Sequence, residues 1–221
     1  SDYVSTSKND TLKFTSGIRS IFQDSKGNYW FGSLHEGVAV YKDSSFFYFT
    51  NKDGLTDNQI HSIQEEKDSV IWFDTQNGVS SYDGKTIKNH TKTDNGILQN
   101  FSPITVTETS QNEWKKKDSD LWFEAGIKEG VYRYDGDKLN YLAFPLHKVL
   151  NLYDNLFAVT SLSKGKNNMI WLGTYAGVFG YNGNDFTIIN YETLGLDGDI
   201  EPLHIRSILE DSKGRLWIGN N

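Results

Sequence analysis

Apolar and polar residues alternate in short runs along this chain, and the alternation keeps breaking at turn-forming residues. Ile18-Arg19-Ser20-Ile21-Phe22-Gln23 opens the clearest cycle. Period-two alternation predicts a half-buried strand. Asp24-Ser25-Lys26-Gly27 then predicts a tight turn, with Asp opening it and Gly accepting a positive φ. Tyr29-Trp30-Phe31-Gly32-Ser33 is the second strand, Gly37-Val38-Ala39-Val40-Tyr41 the third, and residues 46–50 the fourth. Asp53-Gly54-Leu55-Thr56-Asp57-Asn58-Gln59 leads to Ile60, where the cycle restarts. Short strands rich in aromatic and β-branched residues, bounded by Gly, Asp and Asn, predict an antiparallel sheet.

The cycle recurs. Trp30, Trp72, Trp122, Trp171 and Trp217 each sit in an aromatic or aliphatic triplet, at intervals of 42, 50, 49 and 46 residues. Ile60, Val159 and Ile205 each lie twelve residues before a tryptophan, as Ile18 does before Trp30. Ile104 lies eighteen before Trp122, so the first hairpin of the third copy carries an insertion around residues 111–117, with Trp114 inside it. Third strands repeat as Gly78-Val79, Gly130-Val131 and Gly177-Val178. Self-similarity at this period in an all-β chain predicts a β-propeller of four-stranded blades. Only residues 146–156 could pass for helix, and they read better as a long connection.

The expected organisation is one propeller domain, 1–221, with blades near 18–59, 60–103, 104–158 and 159–204. The fifth copy stops after two strands, and residues 1–15 resemble a third and fourth strand. An open ring would expose two sheet edges. Pairing 205–221 with 1–15 in a composite blade would close a five-bladed ring; the alternative is part of a six- or seven-bladed propeller. The repeat tryptophans are expected in the core between blades.

These residues resemble the two-component regulator propeller repeat. The likeness is fullest over residues 18–58 and 205–219, and partial over 60–82, 121–134 and 159–196. It implies a relation to the periplasmic sensor halves of bacterial hybrid two-component systems, which are thought to sense small molecules, often glycans. No kinase or regulator segment accompanies the repeats here. The expectation is therefore a periplasmic or extracellular propeller that binds a small ligand or a protein partner. An upstream segment, such as a lipid anchor, fits a sequence opening Ser1-Asp2-Tyr3.

Composition narrows the partners. A net charge of −7 spread along 221 residues disfavours nucleic acid, whose binding needs clustered cations. The run Lys115-Lys116-Lys117 is followed at once by Asp118 and Asp120. The chain has no cysteine, which excludes thiolate zinc sites and thiol nucleophiles. No apolar run reaches the ~20 residues of a membrane span, and no cofactor is expected.

Candidate chemistry lies at the ends of the first strands, where propellers gather polar groups near the axis. The second residue of each first strand is polar beside an apolar neighbour: Arg19, His61, Thr105, Thr160 and Arg206. Together they would form a donor-rich, partly cationic funnel suited to a carboxylate or to sugar hydroxyls. The opposing possibility is that they pair with acids such as Asp57 or Glu201 and line a wet channel. Loops between second and third strands add His35 and Tyr175, the latter able to stack on a sugar ring. No carboxylate pair recurs on the first strands, and no nucleophile elbow or zinc motif is present. The sequence thus favours a non-enzymatic reading. A glycoside hydrolase or lyase at the central axis is one alternative, and a protein-docking scaffold another.

Overall fold

In the first and last copies an Asp-led turn folds the first strand back on its tryptophan strand. The computed structural model describes residues 5–7, 12–66, 69–91, 119–125, 129–136, 139–145, 158–196 and 202–220. In it, Asp24 Oδ1 accepts from the backbone N–H groups of Lys26 (3.0 Å) and Asn28 (2.8 Å), and Gly27 closes the turn at φ +83°. The indole N–H of Trp30 donates to Asp24 Oδ2 at 2.9 Å. Asp211 holds Trp217 in the same way at 3.0 Å. At Trp72 the acceptor six residues back is Glu66, at 2.8 Å.

The chain is an all-β propeller of four-stranded antiparallel blades, and it forms two compact units, Ser1–Ile104 and Thr105–Asn221. The first unit holds β1 (Ser5–Ser7), β2 (Ile18–Gln23), β3 (Tyr29–Ser33), β4 (Val38–Lys42) and β5 (Ser45–Phe49) in the order β1-β5-β4-β3-β2. Its second sheet runs β6 (Ile60–Glu66), β7 (Val70–Thr75), β8 (Gly78–Tyr82), β9 (Ile87–Thr91). The second unit holds β10 (Leu121–Glu124), β11 (Gly130–Tyr134) and β12 (Leu139–Ala143). It continues with the sheet β13 (Val159–Lys164), β14 (Ile170–Thr174), β15 (Val178–Tyr181), β16 (Phe186–Ile189), and the hairpin β17 (Ile205–Glu210), β18 (Leu216–Asn220). Trp114, Lys115 to Lys117, residues 146–156 and the expected strand from Ile104 lie outside the described residues. Among the described residues no helix is long and apolar enough to cross a membrane.

Blades stack through the tryptophan face. In the first unit Trp30, Val38, Val40 and Phe49 pack on Ile60, Ile63, Ile71 and Phe73 of the next sheet. In the second, Trp122, Val131 and Phe144 pack on Ile170, Leu172 and Phe179. Glycine follows the tryptophan strand's midpoint for a steric reason. A Cβ on Gly32 would sit 2.6 Å from Ile60 Cγ2, and one on Gly173 would sit 2.7 Å from Ile205 Cγ2. In two blades a carboxylate also makes a staple to the turn of the preceding blade. Glu65 on β6 accepts from the N–H and hydroxyl of Ser25. Its repeat equivalent, Glu210 on β17, accepts from the backbone of Lys166 and the indole of Trp171. A charged pair is enclosed as well: Arg133 Nε donates to Asp120 Oδ2 at 2.7 Å, and both side chains are buried.

Two expectations need correction. Ser5–Ser7 does not extend the 205–221 hairpin. It pairs antiparallel with β5, Ser5 opposite Tyr48. An open sheet edge accepts any strand that reaches it, and the segment that follows β1 is tied to this blade. The backbone N–H of Lys13 donates to the Tyr48 hydroxyl, Phe14 lies edge-on to the Tyr48 ring at 5.8 Å, and Thr15 and Ser16 donate to Glu36. The fifth tryptophan is also not core: Trp217 is 57% exposed, against 4% for Trp30. β18 has no third strand beside it among the described residues.

Candidate functional site

Strand pairing slips at the same place in four blades. The register shifts between Ile18 and Ser20, Ile60 and Ser62, Val159 and Ser161, and Ile205 and Ser207. The residue left out of register is Arg19, His61, Thr160 or Arg206. A bulge bends the strand and re-aims the side chain it carries. Four of the five funnel positions are therefore bulge residues; the fifth, Thr105, lies outside the described residues.

In the second unit the bulge at β17 assembles a cluster. Arg206 Nη1 donates to the Tyr175 hydroxyl at 3.0 Å, and the guanidinium lies 5.0 Å from the centre of the Tyr175 ring. The four-residue turn from Thr174 to Gly177 presents Tyr175: Thr174 and Gly177 bond to each other through backbone and side chain. His204 stands just before β17 in the left-handed conformation, φ +49°. Its N–H donates to the Tyr175 carbonyl at 3.0 Å, and its ring meets the Tyr175 ring edge-on at 5.3 Å. Arg206 and His204 are exposed and Tyr175 is half-buried. Among the described residues no carboxylate pairs with Arg206. Thr160 has a different task. Its hydroxyl contacts the carbonyls of Gly173 (3.1 Å) and Ile205 (2.5 Å), closing the seam between β13 and β17.

In the first unit Arg19 and His35 are exposed and His61 is half-buried. Arg19 and His61 occupy equivalent bulges on β2 and β6, which lie side by side. His35 sits in a loop organised by its neighbours: Ser33 Oγ accepts from the N–H groups of His35 and Glu36. The Glu36 carboxylate is held down to about 2, chiefly by the hydroxyl and N–H of Ser16 and then by Thr15, against the opposing effect of burial. Asp57, considered as a partner for the funnel cations, instead accepts from the side-chain amide of Asn77 and the N–H of Gln59.

Sequence reasoning placed Tyr175 and Arg206 in one site, and the structure brings them together. It missed His204. The available signal was nearness in sequence: His204 lies two residues before Arg206.

Residues 13–35 and 199–221 match the family described as the two component regulator propeller. No curated protein matches the chain. Among solved structures, the extracellular domain of a protein described as a one component system from B. thetaiotaomicron superposes with a TM-score of 0.60 at 19% identity, over 95% of this chain and 27% of that one. A second such domain from B. thetaiotaomicron, of a hybrid two component system, gives 0.58 at 21%, over 96% and 26%. Virginiamycin B lyase from Staphylococcus aureus gives 0.62 at 15%, over 98% and 67%. This chain thus spans about a quarter of each extracellular domain, and at these identities the likeness is one of fold. The fold expected from the tryptophan register is present: this is a propeller, and two of its segments, residues 13–35 and 199–221, are similar to the two component regulator propeller.

Proposed function

We propose that this chain is an extracytoplasmic, non-enzymatic propeller that binds a small ligand, a glycan or a small acid, at the bulged ends of its first strands. The observation that carries the reading is the Tyr175–His204–Arg206 cluster. An exposed guanidinium held on an aromatic ring, with a histidine beside it, is a set of preplaced donors that can meet an acceptor-rich ligand. Within the first unit, Arg19, His35 and His61 are proposed as a candidate set of their own. The match to the two component regulator propeller and the likeness to extracellular domains support a periplasmic or extracellular setting. A protein partner is the competing occupant of the same surface.

A thermal-shift screen with oligosaccharides and small organic acids tests the reading, because a ligand that binds the native state raises its melting temperature by mass action. The expected result is a ligand that raises the melting temperature and is recovered chemically unchanged. The lyase likeness makes the second readout necessary: turnover of any bound ligand would replace the binding reading with an enzymatic one.

A further inference from the structure

We infer that the Tyr175–His204–Arg206 cluster selects a carboxylate, so that its ligand is an acidic sugar or a small organic acid and not a neutral glycan. The inference rests on the ligand-binding reading above and narrows it to a chemical class.

The argument is a balance of donors and acceptors. Arg206 carries five N–H donors and no acceptor. The structure uses one of them on the Tyr175 hydroxyl. That hydroxyl accepts from Arg206, so its own proton remains available to donate outward. The exposed His204 ring offers an N–H in either tautomer. Its backbone N–H is already spent on the Tyr175 carbonyl, which fixes the ring beside the phenol. The side chains thus present a guanidinium fork, a hydroxyl and an imidazole, and among the described residues no carboxylate pairs with Arg206. A neutral sugar hydroxyl both donates and accepts, and among the side chains of this cluster its proton can meet only the Tyr175 oxygen or one imidazole nitrogen, neither of them charged. A carboxylate only accepts, and its two oxygens match the spacing of a guanidinium fork.

The backbone points the same way. Stacking on Tyr175 orients the guanidinium plane, so less side-chain freedom remains to be lost on binding. His204 takes the left-handed conformation at φ +49°, which histidine adopts more readily than most residues, and its ring meets Tyr175 edge-on. The bulge at Arg206 aims the side chain out of the strand register.

The test uses the whole chain and three probes in isothermal titration: a glucuronic-acid disaccharide, its methyl ester, and citrate. The ester keeps the shape of the sugar acid and removes its charge. The free acid is expected to bind at least about tenfold more tightly than its ester, the size of one charge-assisted hydrogen bond. Arg206→Ala is expected to remove that preference while leaving the melting temperature unchanged. Citrate separates the sources: binding of citrate as tight as the disaccharide assigns the site to small acids, and a clear advantage for the disaccharide assigns it to acidic sugars. Equal affinity for acid and ester, an Arg206→Ala variant that keeps the preference, or no binding of any carboxylate at millimolar concentration would overturn the inference. A neutral glycan that binds the wild type and not Arg206→Ala would also overturn it, yet leave the broader ligand-binding reading standing.

Discussion

Trp30→Ala probes how the blades are held together. Trp30 is 4% exposed and packs on Phe49, Phe73 and Tyr82, with ring centres 6.2, 5.6 and 6.2 Å away. A buried tryptophan hides about 200 Å². At ~25 cal/mol per Å² that area is worth about 5 kcal/mol, and truncation to alanine of such a side chain costs about 3–5 kcal/mol. The indole N–H bond to Asp24 adds little to the loss, because Asp24 keeps its bonds to Lys26 and Asn28. Trp217 has the same place in the repeat and the same bond to an aspartate, but it is 57% exposed. With less than half the area buried, Trp217→Ala should cost about 1–2 kcal/mol. Urea unfolding followed by circular dichroism gives both values from the midpoint and slope. Equal costs for the two tryptophans, or a cost below about 1 kcal/mol for Trp30→Ala, would refute the packing argument.

Four further outcomes follow from the same geometry. Gly173→Ala should destabilise by about 1–3 kcal/mol by forcing a Cβ against Ile205 and Ser161, whereas Gly17→Ala, with open space around it, should stay within about 0.5 kcal/mol in the same unfolding assay. Arg133→Leu should cost about 3–5 kcal/mol, since it removes the cation paired with the buried Asp120 carboxylate; a neutral result in thermal unfolding would contradict this. Thr160→Val should cost about 1–2 kcal/mol by removing the hydroxyl at the β13–β17 seam, and titration should show unchanged ligand affinity. Glu36, Asp83 and Asp211 are each held down to about 2, from ordinary values of 4.5, 3.8 and 3.8, by donors that bond their charged forms. The stability they supply is therefore complete above those ordinary values and is lost as pH falls toward 2. Glu36→Gln should flatten that acid limb in a melting-temperature series, and an unchanged limb would count against the Ser16 clamp.

Much of the fold was legible because the strands carry their own punctuation. Ile18–Gln23 and Tyr29–Ser33 fall where the alternation and the Asp24 turn put them. The bulges at Arg19, His61, Thr160 and Arg206 were not legible, since a period-two reading cannot distinguish an extra residue from an ordinary outward one. What it did show was a polar residue at each of those places. Thr160 was read as a site residue on that pattern, but the nearby carbonyls of Gly173 and Ile205 take its hydroxyl. Gly165 stands where Asp24 stands in the first copy, and Trp171 bonds Glu210 from the following hairpin instead. That substitution joins residues 39 apart, a distance local patterns do not span. The placement of Ser5–Ser7 failed for a related reason: half a blade in sequence does not say which open edge it will meet.

The central claim is that the cluster on β17 and the β14–β15 turn binds a ligand without transforming it. Isothermal titration of wild type and Arg206→Ala with the compound that most raises the melting temperature tests this most directly. The account predicts saturable binding to the wild type, recovery of the compound intact, and at least about a tenfold loss of affinity in the variant. Undiminished affinity in a folded Arg206→Ala protein would contradict it.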